Sequence, residues 1–192
     1  MKQATRVSPA VASSLLVLVL VASALLVVYA RASNNLALQA ITVLVSMGLV
    51  FYASHPLGHL IIAKALGVGT DYFFIGTSDF RKLKMKPMSF VGGLMPTIGT
   101  RLNREGLARL RPHERGYVFG AGVIVSNALV GLELAYVLVA GFGILAALLG
   151  TLFFVVIVAT ELMFSTKVGD LGKMAKEFKK PRLPPGGTGR SL

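Results

Sequence analysis

The stretch LALQAITVLVSMGLVFYASHPLGHLIIAKALG, residues 36–67, decides how this chain is to be read. It contains no acidic residue, and its one base, Lys64, comes near its end. A helix rising ~1.5 Å per residue over this length is longer than the ~30 Å hydrocarbon core of a bilayer. Late in the run, His55 and His59 stand four residues apart. On a helix that spacing puts both rings on one face, where they can share one metal ion. Pro56 lies between them. It has no N–H to give the Tyr52 carbonyl, and its ring crowds that turn. A kink or break is therefore expected at residues 54–56, tolerated where neighbouring helices or a polar cavity satisfy the freed carbonyl.

The remaining composition agrees with a membrane chain. Of 192 residues, 54% are hydrophobic and only 15% charged, and the mean hydropathy is +0.72. The net charge of +12 does not point to nucleic acid, because the apolar runs are too long for a soluble domain and the bases flank them. There is no cysteine, so disulfides and thiolate ligands are excluded and a metal must be held by His and carboxylate.

Taken in order, residues 1–8 are short and basic, and residues 9–30 form an uncharged apolar run of about the ~20 residues a span needs. Ala30-Arg31-Ala32 has the look of a signal cleavage site. The run exceeds the roughly 7–15 residues of a signal core, however, so a retained first span is expected. A second span fills residues 36–66. Residues 67–115 are polar and basic, and are expected to form a small β-rich insertion on the membrane surface. Within it DYFFIG (71–76) is rich in β-formers, RKLKMKPM (81–88) alternates with strand period, and 94–102 suits another strand. Asn103 can cap a short helix over 104–110 that stops before Pro112. The third span, within 116–140, opens with small residues, and Gly116 and Gly120 allow close approach of another helix. Asn127 and Glu133 interrupt it. The fourth span, within 144–164, reaches Glu161 near its end, and residues 165–192 form a basic segment with a Pro- and Gly-rich tail expected to be disordered.

Lys and Arg number two before the first span, one between the first and second, nine between the second and third, none between the third and fourth, and seven after the fourth. Basic loops stay in the cytoplasm. The expected fold class is an α-helical polytopic membrane protein with four transmembrane helices, both termini cytoplasmic, and a β-rich insertion between helices two and three. Its expected organisation is 1–66, 67–115, 116–164 and 165–192, and its expected location is the plasma membrane of a prokaryote.

With that topology, residues 36–176 resemble, in order, the site-2 protease family of intramembrane zinc metalloproteases. HPLGHLIIAKALG is similar to the family's H-E-x-G-H helix. The insertion DYFFIGTSDFRKLKMKPMSFVGGLMP looks like the sheet that receives the substrate chain. GAGVIVSNALVG, residues 120–131, looks like the A-G-P-x-x-N helix start, and KVGDLGKM places Asp170 at the Asp of the L-D-G motif. The resemblance implies a zinc site of His55, His59 and Asp170, with Asn127 positioning a peptide backbone. Three residues depart from the pattern: Pro56 replaces the catalytic Glu, Val123 the motif proline, and Leu171 the glycine after the Asp.

In peptide hydrolysis a carboxylate must take the proton from metal-activated water and pass it on, which proline cannot do. Losing such a base costs on the order of 10²–10⁴ in rate. The reading is a proteolytically inactive relative, a pseudoenzyme, that binds membrane or extended peptide segments. Its alternatives are an active protease with a relocated base, Glu161 before Glu133, and an assembly subunit using the small-residue face of 116–131. A transport role is weaker, since few polar groups could line a path. His55 and His59 could instead serve the carbonyls exposed at Pro56, and Asp170 could be a surface acid. The basic insertion and tail suit anionic lipid headgroups.

Overall fold

The computed structural model describes residues 5–77, 96–166 and 169–180. Four of its helices are long and apolar enough to cross a membrane. They are α1 (Pro9–Ala32), α2 (Leu36–Ala65), α4 (Pro112–Val139) and α5 (Ile144–Thr160), which continues through a π-helical turn, Glu161–Ser165. The short α3 (Arg104–Arg109) and the C-terminal α6 (Asp170–Phe178) complete the helices. Strands β1 (Thr5–Val7), β2 (Thr70–Thr77) and β3 (Pro96–Leu102) form one antiparallel sheet in that order.

Local chemistry explains the helix starts. Ser8 caps α1 ahead of Pro9, whose missing N–H would have had no partner in the first turn. The Asn35 side chain accepts from the Leu38 N–H, and the Asn103 side chain from the Gly106 N–H. Gly67 ends α2 in the left-handed region at φ 74°, and Gly141 turns the α4–α5 hairpin at φ 72°. At that hairpin Gln39 ties two turns together, giving its amide N–H to the Ser33 carbonyl and accepting from the Gly143 N–H.

Helix α2 packs against α1, α4 and α5, and is the most buried of the four long helices, while α5 is the least. Three apolar clusters follow α2 along its length. Val43, Met47, Val130 and Val137 lie towards the Gln39 end; Leu16, Ala53, Leu57 and Phe73 lie in the middle; Ala63, Val68, Leu102 and Val118 lie at the far end. A close approach to α4 is made at Gly58. A Cβ there would sit 2.7 Å from the Ala121 carbonyl oxygen and 3.0 Å from Val125 Cβ, so only glycine lets α2 and α4 meet at this depth.

The sheet covers the His end of the bundle. Phe73 of β2 is buried in the middle cluster, and Phe74 lies over Gly99, where any Cβ would overlap its ring. The Arg6 guanidinium stands 4.8 Å from the centre of the Tyr72 ring. The Thr100 hydroxyl donates to the Pro56 carbonyl at 3.3 Å, pinning β3 beside the His-bearing helix.

Several expectations need correction. The helix does not break at 54–56: α2 runs unbroken from Leu36 to Ala65 with Pro56 buried inside it. Packing on α4 and the Thr100 bond hold this segment despite the lost N–H, while the Ser54 hydroxyl donates back to Val50. Residues 5–7, read as a short basic lead-in, form the first strand. Helix α4 begins at Pro112, inside the stretch assigned to the insertion, and residues 170–178 form a helix where only a basic segment was expected. The strand expected at 81–88 and the disordered tail lie outside the described residues.

The small residues of α4 receive α6. A Cβ at Gly120 would overlap Met174 Sδ, and one at Gly116 would lie 2.9 Å from the Phe178 ring. Arg115 pairs with Glu177 at 3.0 Å, and the Tyr117 and Phe178 rings meet edge to face at 5.4 Å. The face read as a surface for other subunits is thus partly filled within the chain.

Gly58→Ala is expected to destabilise the protein by about 1–3 kcal/mol, as for overpacking in a filled core. Gly48→Ala, whose Cβ would meet only Phe153 at 3.9 Å, is expected to be near neutral. Thermal unfolding in detergent compares them; equal midpoints would refute the account of the α2–α4 contact.

Candidate metal centre

Helix periodicity puts His55 and His59 on one face of α2, with ring centres 5.2 Å apart. The third group arrives from far along the chain. Asp170 opens α6, and its Oδ2 lies 3.3 Å from His55 Nε2 and 3.1 Å from His59 Nε2. One ligand atom from each of the three groups lies within 4.8 Å of the others. Zinc bonds of ~2.0–2.2 Å in a tetrahedron separate neighbouring ligand atoms by about 3.3 Å. The His–Asp distances match that spacing.

The hydrogen-bond roles sharpen the case. His59 Nδ1 lies 2.8 Å from the Val118 carbonyl, which can only accept, so Nδ1 carries the proton. In the neutral ring Nε2 is then a bare lone pair facing a carboxylate oxygen. Two acceptors at 3.1 Å need a proton or a cation between them. Fixing a ligand His through its other ring nitrogen is how outer partners orient metal sites. Asp170 Oδ1 accepts from Lys173 at 2.9 Å, leaving Oδ2 for the histidines. Burial pushes the Asp170 carboxyl up, but its close approach to the His55 and His59 rings and to the Lys173 ammonium outweighs this and holds the group well below the usual carboxylate range. The centre is partly open, with the three side chains 13–25% exposed.

Two glycines make room. A Cβ at Gly122 would overlap His59 Nε2 and lie 2.9 Å from His55 Nε2, so both rings rest on bare α4 backbone. A Cβ at Gly169 would lie 2.7 Å from the Ser165 Cα and Oγ, so the turn into α6 is equally tight. Ser165 Oγ accepts from the Leu171 N–H and sets the start of the helix that carries Asp170.

The other expected residues divide. Glu161 stands at the π-helical turn, faces the Ser165 hydroxyl, and lies near His55 and Asp170, though outside the trio of converging ligand atoms. Such turns recur at functional sites. Glu133 belongs elsewhere: its carboxylate is buried opposite Ser46, in the layer where the Ser46 hydroxyl donates to Ser23, and neither oxygen meets hydrogen-bond geometry among the described residues. Asn127 gives its amide N–H to the Val123 carbonyl in its own helix, and its Oδ1 is buried without a partner among the described residues. Pro56 sits beside His55 in the middle of α2 and supplies only its carbonyl, to Thr100. Gly122, the Val118 carbonyl, Ser165 and Lys173 were not anticipated. Only Gly122 left a trace in the sequence, as one of several small residues on α4 and as the glycine of the A-G-P-like stretch, without any role towards the histidines.

Comparison with protein-family models, with curated proteins and with solved structures found no match.

Gly122→Ala is expected to abolish tight metal binding while leaving the helical circular dichroism unchanged; retention of wild-type metal affinity would contradict the packing of the rings on α4. A second expectation concerns pH. Burial raises the Glu177 carboxyl, but bonds from Lys180 and Arg115 outweigh it and lower it. A lowered folded-state value means that the stabilisation is present above the unfolded carboxylate range of about 4.3 and is lost as pH falls through the folded value. Protection factors across α6, corrected for the intrinsic pH dependence of amide exchange, should fall on acidification below that range, and Glu177→Gln should remove that component.

Proposed function

We propose that this chain is an integral membrane protein related to the site-2 proteases, built around a zinc site of His55, His59 and Asp170, and inactive as a peptidase. The convergence of these three side chains, from helices more than a hundred residues apart in sequence, carries the reading. The order of the motifs supports the family. The distribution of bases supports both termini on the cytoplasmic side: among the described residues Arg31 is the only base at the Gln39 end, while Lys64, Arg115 and the α6 lysines mark the His end.

The donor set fits zinc, with two imidazoles, one carboxylate and an open fourth position. A bound zinc ion supplies Lewis acidity towards a carbonyl or water. His59 holds its tautomer through Val118, and Lys173 shields the far oxygen of Asp170. Pro56 supplies no proton acceptor where the family has its Glu. The edge of β3 that pairs with no strand among the described residues lies next to the Pro56–His55 segment and supports pairing with an extended peptide there.

One observation favours a second reading, an active protease. Glu161 is the carboxylate beside His55 and Asp170 that is not itself among the converging ligands. The test begins with untagged full-length protein purified in detergent. Zinc is expected near one per chain, and expected to be lost in His55→Ala, His59→Ala and Asp170→Ala. A wild type free of zinc after reconstitution would overturn the site. Zinc-loaded wild type and Glu161→Gln are then given a quenched-fluorescent peptide library. No cleavage by either supports the inactive reading; cleavage that falls ~10²–10⁴-fold in Glu161→Gln establishes the second.

A further inference from the structure

Helix α6 has two faces with different uses. Asp170, Met174 and Phe178 stand at i, i+4 and i+8, so one row carries the metal ligand and the two side chains seated on Gly120 and Gly116. The opposite arc carries Lys173, Lys176, Lys179 and Lys180, all exposed. Lys173 and Lys180 are paired with Asp170 and Glu177. Lys176 and Lys179 face no acid among the described residues.

The depth of this helix is marked independently. Phe178 packs on Tyr117, close to the start of α4, and the two residues are 44% and 54% exposed. Half-exposed aromatic rings at the end of an apolar span are the usual occupants of the headgroup region. The free lysines of α6 therefore stand at the level of lipid phosphates.

We propose that α6 is a membrane-surface helix whose outward lysines bind anionic lipid headgroups, and that this binding tightens the metal site. The second part rests on the zinc site proposed above. Headgroups hold the docked helix, the docked helix holds Asp170 against the histidines, and coupling between two ligands is reciprocal. Basic residues near an anionic surface each contribute enough for several-fold effects.

The test uses full-length protein in vesicles of phosphatidylcholine alone, or with about 30% phosphatidylglycerol, an anionic fraction that gives the surface a negative potential. Metal-free hydrogen exchange over residues 170–178 is expected to slow in the anionic vesicles for wild type and not for the Lys176→Gln/Lys179→Gln double variant. Zinc affinity, by chelator competition, is expected to rise at least ~3-fold more for wild type than for the double variant. Accumulation of zinc at the charged surface acts equally on both and cancels in that comparison. Equal exchange in the two lipids would overturn headgroup binding. An equal affinity gain in both proteins would overturn the coupling. Zinc binding to neither protein in either lipid would overturn the metal site itself, and the exchange result would still decide the lipid surface.

Discussion

Two imidazole nitrogens each lie within about a tetrahedral edge of one carboxylate oxygen at one end of an apolar bundle, and the three groups need positive charge among them. The Val118 carbonyl makes this constraint strict for His59 by assigning its only neutral-state proton to Nδ1. Much of the surrounding architecture serves to bring these groups so close. Helix α2 supplies the imidazoles, the bare backbone of α4 supplies their floor, and α6 returns along α4 to deliver the carboxylate.

Glycine on α4 does this at successive turns for two partners. Gly116 and Gly120 seat Phe178 and Met174 and so set where α6 lies, and Gly122 leaves the space occupied by His59 and His55. On α2, Gly58 brings the two helices within backbone contact of each other. None of these glycines has the positive φ that Gly67 and Gly141 adopt; they are needed for the volume they do not fill. In a bilayer, where there is little hydrophobic drive between helices, such close packing would contribute much of the association.

The four long helices could be read directly from hydropathy, and the caps at Asn35 and Asn103 from residue type. The β-formers of 71–76 and the stretch before Asn103 gave β2 and β3. Strand β1 could not be read, because three residues carry no period and its partner β2 lies far along the chain. Helix α6 was hidden by its lysines: its core row is only Asp170, Met174 and Phe178, and its partner is backbone rather than an apolar stripe. Of the kink or break expected at Pro56, no break is present: the helix is continuous, with Thr100 bonded to that turn. At the site, the His pair followed from spacing alone. Asp170 followed only through a family resemblance, since nothing local distinguishes one acid among lysines. The positions of Glu161 and Ser165 depend on the π-helical turn, which no residue pattern announced.

X-ray absorption at the zinc edge on the full-length protein tests the central claim most directly. The account predicts two imidazole nitrogens and carboxylate or water oxygen at ~2.0–2.2 Å in a four-coordinate shell. A shell of oxygen alone, or one with no imidazole scattering, would contradict it.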